Sequence, residues 1–318
     1  RKAASALAAF ALQHDLPLLT TWNGADRLRA DHPCYFGRPN TWGQRYANLI
    51  VQQADVIVAL GTRLGLQQTG FNWRAFGQGA DIFQVDCDAA ELSKGHPSIA
   101  RGICADADQF VALLLPGLAR TWREWRAYCD RVKQSLPLIE PNTTGEGYVS
   151  PYRFVESLSH LAGESDIVIP CSSGGAFTVM MQVFAQKAGQ RIVTDKGLAA
   201  MGYGLSGAIG AAIANPGRRT LLVEGDGGFA QNLQEIGTAA VNRLNLKIFI
   251  FEDSGYASIR MTQRNYFGGR YVGCDLETGL GLPRWERLFP AYDVPVLRLL
   301  PGWENDAAFQ EHFGARGT

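Results

Sequence analysis

Two aspartates, Asp226 and Asp253, stand 27 positions apart, each just past a short apolar run. Asp226 lies in Gly225-Asp226-Gly227-Gly228, directly after Thr220-Leu221-Leu222-Val223-Glu224. Asp253 follows the run Leu246 to Phe251 and precedes Ser254-Gly255-Tyr256. Between them, Phe229 to Arg243 has the pattern of a helix. Strand, helix and strand in that order predict two parallel neighbouring strands. Such strands bring both carboxylates to one sheet edge, where open α/β folds bind ligands. Two hard oxygen donors beside glycine-exposed backbone N–H groups suit Mg2+ holding a diphosphate. A Gly-Asp-Gly alone is also an ordinary turn; the second aspartate and the flanking segments single this one out.

With its flanks, the pattern resembles the thiamine-diphosphate signature: Gly-Asp-Gly, a spacer of this length, then Asn-Asn. Lys196 to Ala214 reads KGLAAMGYGLSGAIGAAIA, close to the segment before the diphosphate strand in that family. Tyr256 to Gln263 reads YASIRMTQ, close to the segment after it. The resemblance covers nearly the whole chain, as the central and cofactor-binding domains of an acetolactate-synthase-like enzyme.

The resemblance implies Asp226, Asp253 and the carbonyl of Gly255 as Mg2+ ligands. It places Gly225, Gly227 and Gly228 against the phosphates, with a helix beginning near Phe229 pointing its N-terminus at that anion. Gly174 and Gly175 match the first diphosphate-contacting loop; the alternative is a plain strand-to-helix turn. Met201 matches the bulky side chain that holds the two cofactor rings in a V, with core packing as its alternative. Ala199 matches the residue whose carbonyl accepts from the pyrimidine amine, a position where the family usually has Gly. Tyr256 and Ser258 complete the implied cofactor set. The larger departure is Glu252-Asp253 in place of Asn-Asn. Asp253 can ligate Mg2+ but adds a negative charge beside an anionic diphosphate, which predicts a preference for a full divalent cation. Arg260 and Gln263, just past this loop, are candidates for facing substrate or for a surface helix face.

In this family a glutamate on a preceding pyrimidine-binding domain activates the cofactor, and no glutamate present matches it. The catalytic group is therefore unassigned, and the chain reads as a piece of a longer one, inactive alone. The implied activity is decarboxylation of a 2-oxo acid followed by carboligation to an acceptor, in a homodimer or homotetramer. A decarboxylase or lyase of the same family is the first alternative. A non-catalytic regulatory subunit keeping the fold, favoured by loss of Asn-Asn, is the second. Some relatives hold FAD in the first domain, beside strand ends such as Thr62-Arg63 and Val85-Asp86-Cys87-Asp88. That stretch lacks a G-x-G-x-x-G, so the sequence does not establish FAD.

The elements that must position these residues alternate strand and helix patterns, which predicts an α/β fold of two doubly wound domains with parallel sheets flanked by helices. Residues 1–118 form a central Rossmann-like domain, 119–147 a connector helix and loop, and 148–318 the thiamine-diphosphate and Mg-binding domain with an incomplete C-terminus. Predicted strands in the first are Leu16–Thr21, Asp55–Leu60 and Asp81–Asp86. In the second they are Asp166–Pro170, Arg191–Thr194, Thr220–Glu224, Lys247–Phe251 and Val294–Leu300. Ser150 is the predicted N-cap of a helix with Pro151 in its first turn.

Composition narrows the remaining classes. The chain has 318 residues, 46% hydrophobic and 19% charged, and its 30 basic side chains balance 30 acidic ones. No basic tract argues for nucleic acid, and no apolar run approaches the roughly 18 residues of a membrane span. Six scattered cysteines without C-x-x-C spacing argue against zinc or a redox pair and read as thiols in a reducing cytoplasm. His32 and His96 read as solvated or satisfied loop histidines, and Asn142-Thr143-Thr144 as a chance sequon.

Overall fold

The computed structural model describes every residue except Arg1, Asn142, Thr143 and Ser172, so part of the sequon and of the Cys171–Gly175 loop lies outside the described residues. The chain divides into two compact units, Arg1–Glu140 with Ala185–Ala188, and Pro141–Phe184 with Gly189–Thr318.

In the first unit, β1 (Val56–Leu60), β2 (Asp81–Asp86) and β3 (Arg101–Cys104) form a parallel sheet in that order. Val56 pairs with Asp81 and Phe83 with Arg101. The helices are α1 (Lys2–His14), α2 (Arg45–Gln52), α3 (Ala89–Ser93), α4 (Ala107–Leu114) and α5 (Arg123–Ser135). Asp88 and Asp106 start α3 and α4 by accepting from the Ala90 and Gln109 N–H groups, as N-cap aspartates do. Helix α5, expected in the connector, packs Trp125, Tyr128 and Val132 onto Phe36, Tyr46 and Ile50 within this unit.

One expectation for this unit is corrected, and one strand is added to it. Leu16–Thr21 is not a regular strand: Leu18 makes a single bridge to Tyr35, and Gly37, whose carbonyl accepts from the Thr20 N–H, has φ 90°. Strand β3 went unread because Arg-Gly-Ile-Cys is short, largely exposed and lacks an apolar run.

In the second unit, β4 (Ile167–Ile169), β5 (Arg191–Ile192), β6 (Thr220–Gly225) and β7 (Leu246–Phe251) form a parallel sheet in the order β5-β4-β6-β7. Its helices are α6 (Pro151–Leu161), α7 (Gly174–Val183), α8 (Tyr203–Ala214), α9 (Asp226–Phe229), α10 (Ile236–Val241), α11 (Ala257–Tyr266), α12 (Trp285–Leu288) and α13 (Ala307–Gly314). β4 and the apolar part of β6 are wholly buried, which is why they read as unbroken apolar runs rather than alternating ones. Phe229 meets Trp285 edge to face and Phe289 at a tilt, beside Leu205, Leu222 and Leu246. Each fully buried side chain of that size contributes about 2–3 kcal/mol.

The strand order carries the site. The chain runs outward from β4 to β5, then returns past β4 to add β6 and β7 on the other side. The order therefore reverses between β4 and β6, and open sheets bind ligands beyond the strand C-termini at such a reversal.

Three expectations for this unit are corrected. The helix predicted from Phe229 begins at Asp226 and is broken at Asn232 (φ −136°). The Asn232 amide donates to Gly202 O and Ser206 Oγ, which draws the backbone out of the helix. Val294–Leu300 is extended but is not a strand. Pro295 has no donor, and the Val294 N–H is spent on Phe289 O. Finally, Pro151 does begin α6, but the Ser150 hydroxyl makes no cap bond and, among the described residues, is buried without a hydrogen-bond partner.

Candidate functional site

All four strands of the second sheet are parallel, so their C-terminal ends open on one edge. β4 leads to Gly174 and Gly175, β5 to Ala199 and Met201, β6 to Asp226, and β7 to Asp253. These residues line a single cleft of about 1040 Å3, together with Gly225, Gly227, Gly228, Gly255, Tyr256 and Ser258. Every residue singled out from sequence for thiamine diphosphate or metal thus lines the same cleft.

Asp226 is the best-defined part of the site. It is 1% exposed. Its Oδ1 accepts from the Gly227 N–H at 2.7 Å, and its Oδ2 from the N–H groups of Asp253 at 3.1 Å and Gly255 at 3.2 Å. The β6 carboxylate thereby fastens the loop that follows β7. Burial, and then the charge of nearby Asp253, push its pKa up to about 6 against the pull of those N–H donors. No Lys or Arg pairs with Asp226 among the described residues. A buried carboxylate with amide donors but no cation is a group that a divalent cation would satisfy. Asp253 is more open and is also shifted upward by burial. Two carboxylates, with the remaining positions left to main-chain oxygen, water and phosphate, fit Mg2+. Consistent with a two-carboxylate site, no cluster of three or more His, Cys, Asp or Glu side chains offers another metal set among the described residues.

The surroundings fit a diphosphate with two attached rings. A Cβ on Gly227 would lie 2.3 Å from Tyr256 Cδ1 and 3.3 Å from Gly255 O, so only glycine fits at that crossing. Ser173 precedes α7, so the first amides of a ten-residue helix open on the cleft through Gly174 and Gly175. Met201 is 41% exposed at the cleft wall, which sets aside the core-packing alternative. Ala199 sits at φ 58°, in the left-handed region. That conformation explains why glycine is the easier residue there.

Two features escaped the sequence reading. Glu224, the last side chain of β6 before the Gly-Asp-Gly, is 3% exposed. A Cβ on Gly204 would lie 1.8 Å from its Oε2 and one on Gly228 2.6 Å from its Oε1, so two glycines make the room it occupies. Burial pushes its pKa up to about 7, against weaker opposing bonds from the Cys171 side chain and backbone N–H groups. An acidic residue ending an apolar strand beside glycines was the available signal. The second feature is the pairing of Arg260, itself named from sequence, with Asp253. Gln263 holds both main-chain groups of Val272 at 3.2 Å. In the first unit, His32 is buried and accepts from the Cys34 N–H, and His96 lies against Trp73, so both are accounted for structurally.

Comparison with known proteins bears on this geometry. Residues 173–318 match the family described as thiamine pyrophosphate enzyme, C-terminal TPP binding domain, and residues 1–114 match its central domain. The acetolactate synthase large subunit of Porphyra purpurea is 28% identical over 289 residues, 88% of this chain and 47% of that protein. The acetolactate synthase isozyme 2 large subunit of Escherichia coli is 28% identical over 275 residues, 85% of this chain and 48% of that protein. A probable acetolactate synthase large subunit of Methanocaldococcus jannaschii is 30% identical over 298 residues, 90% and 49% respectively. The chain spans about half the length of these curated relatives. The two family matches fall on the two units found in the structure, and together with the signature they show that the chain belongs to the thiamine pyrophosphate enzyme family.

Proposed function

We propose that the protein carrying this chain is a thiamine-diphosphate- and Mg2+-dependent enzyme that decarboxylates a 2-oxo acid and transfers the remaining acyl unit to an acceptor, as an acetolactate-synthase-like carboligase. The observation that carries this reading is the convergence of four strand-end loops on one cleft that holds a buried Asp226, which no Lys or Arg pairs among the described residues. Thiamine diphosphate supplies, when bound, the nucleophilic carbon and the electron sink for loss of CO2. The chain's own residues bind and orient. Asp226, Asp253 and the Gly255 carbonyl would hold the metal, and the glycines at 174, 175, 225, 227 and 228 would leave amides open to phosphate. Met201 would prop the rings, Ala199 O would accept from the pyrimidine amine, and Tyr256 and Ser258 would close the wall.

The same reading makes the active form a homodimer or homotetramer in the cytoplasm, with no nucleic-acid or membrane partner. Among the described residues, no helix is long and apolar enough to cross a membrane. The test is product analysis of the full-length protein with pyruvate, thiamine diphosphate and Mg2+, with and without a second carbonyl acceptor. A C–C-coupled hydroxy-keto product supports carboligation. Aldehyde alone would make it a decarboxylase, and no turnover of any 2-oxo acid would favour the regulatory alternative.

Gly227→Ala tests the crossing inside the cleft. The new methyl must displace the Tyr256 ring, whose hydroxyl accepts from Gln231. Affinity for thiamine diphosphate is expected to fall about tenfold, the equivalent of about 1.4 kcal/mol, measured by fluorescence titration in saturating Mg2+.

A further inference from the structure

Arg260 sits one turn into α11, with Gln263 three residues on along the same face. Its guanidinium donates from Nη2 to Asp253 Oδ1 at 2.8 Å and to the Asp253 carbonyl at 2.9 Å, and from Nη1 to the Cys274 carbonyl at 3.2 Å. The Cys274 carbonyl also accepts from the Tyr256 N–H at 2.8 Å. At this junction Gly255 has φ 151°, and a Cβ there would lie 2.2 Å from Cys274 O and 2.7 Å from Arg260 Nη1. The loop bearing Asp253 and the loop bearing Cys274 are therefore joined through one arginine.

Charge explains why an arginine stands there. An Asp–Asn ligand pair carries one negative charge, so Mg2+ leaves the site with a positive charge to meet a diphosphate. An Asp–Asp pair would cancel the metal outright. Adding the Arg260 guanidinium to Asp226 and Asp253 restores one net negative charge. The pairing engages Asp253 Oδ1, and the carboxylate also accepts from the Ala257 backbone N–H.

We propose that Arg260 is a positioning residue that compensates Asp253. By neutralising and orienting that carboxylate it keeps the site able to bind a metal–diphosphate pair, and it fastens the metal loop to the Cys274 loop. The inference rests on the proposed cofactor reading for its diphosphate half and on the two carboxylates alone for its metal half.

The test uses full-length wild type, Arg260→Gln, Asp253→Asn and the double variant in two titrations. The first is Mn2+ alone, followed by its electron paramagnetic resonance signal; the second is thiamine diphosphate in fixed Mg2+, followed by calorimetry. Removing a positive charge beside two carboxylates is expected to tighten Mn2+ about threefold or more and to weaken thiamine diphosphate about tenfold. Asp253→Asn in the Arg260→Gln background is expected to return both values to within about threefold of wild type. The opposite signs separate compensation from mere loop support, which would weaken both ligands together. Both affinities falling, neither changing, or no rescue in the double variant each overturns the proposal. If wild type binds Mn2+ but not thiamine diphosphate, the cofactor reading has failed, while the metal arm still decides whether Arg260 offsets the charge of Asp253. If wild type binds neither, both fall.

Discussion

Arg219→Ala is expected to lower unfolding free energy by about 3 kcal/mol, the effect of breaking a buried ion pair and leaving one partner uncompensated. Asp166, 3% exposed, enters the central strand β4. It receives Arg219 Nη2 at 2.6 Å and Nε at 3.2 and 3.3 Å, and the Gly163 N–H at 2.8 Å. Arg219 also lies 4.1 Å over the Phe313 ring and donates to the Phe313 carbonyl at 3.1 Å. It thus ties the start of β6 to the entry of β4 and to α13, and those two strands flank the reversal where the site opens. Urea unfolding at neutral pH measures the change. Adding Asp166→Asn to Arg219→Ala is expected to recover part of the loss, because the stranded charge is then gone. A double variant as unstable as the sum of both single changes would contradict an ion-pair origin.

The second large effect is pH-dependent and centres on Glu224. Burial raises its folded pKa from 4.5 to about 7, so the folded protein holds this proton more tightly than the unfolded chain. The stability linked to that proton is complete below about 4.5, declines as pH rises, and is lost above about 7. Over that window the linkage amounts to about 3 kcal/mol. Glu224→Gln keeps the shape between Gly204 and Gly228 and cannot ionise. In chelator-treated protein the variant is expected to match wild type near pH 4 and to exceed it by about 3 kcal/mol near pH 8. Parallel stability curves for the two proteins across this range would show that Glu224 is not the buried acid inferred here.

The readable parts of this fold were those decided by local chemistry. Thr220–Gly225 announced itself because a central parallel strand is apolar on both faces, Leu246–Phe251 by its apolar run, and the polar or glycine-rich residues after each mark where the strand stops. The convergence of Asp226 and Asp253 followed from parallel pairing alone. What sequence could not carry was set by distant partners. Val294–Leu300 has the composition of a strand, yet Pro295 and the bond from Val294 to Phe289 keep it off the ladder. Arg260 and Gln263 read as facing substrate or as a surface helix face because they follow the metal loop, whereas the bond of Gln263 to Val272 depends on how the later loop folds back. Glu224 looked like the end of a strand; its buried state depends on glycines 20 residues before it and four after it, a coincidence visible only once α8 and α9 pack on β6.

The central claim is that these strand ends form a metal-dependent thiamine diphosphate site. A calorimetric titration of thiamine diphosphate into the full-length protein, once with Mg2+ and once with the metal chelated, tests it most directly. The expected result is binding that requires Mg2+ and disappears in Asp226→Ala. Binding that persists without the metal or survives Asp226→Ala, or no binding under either condition, would contradict it.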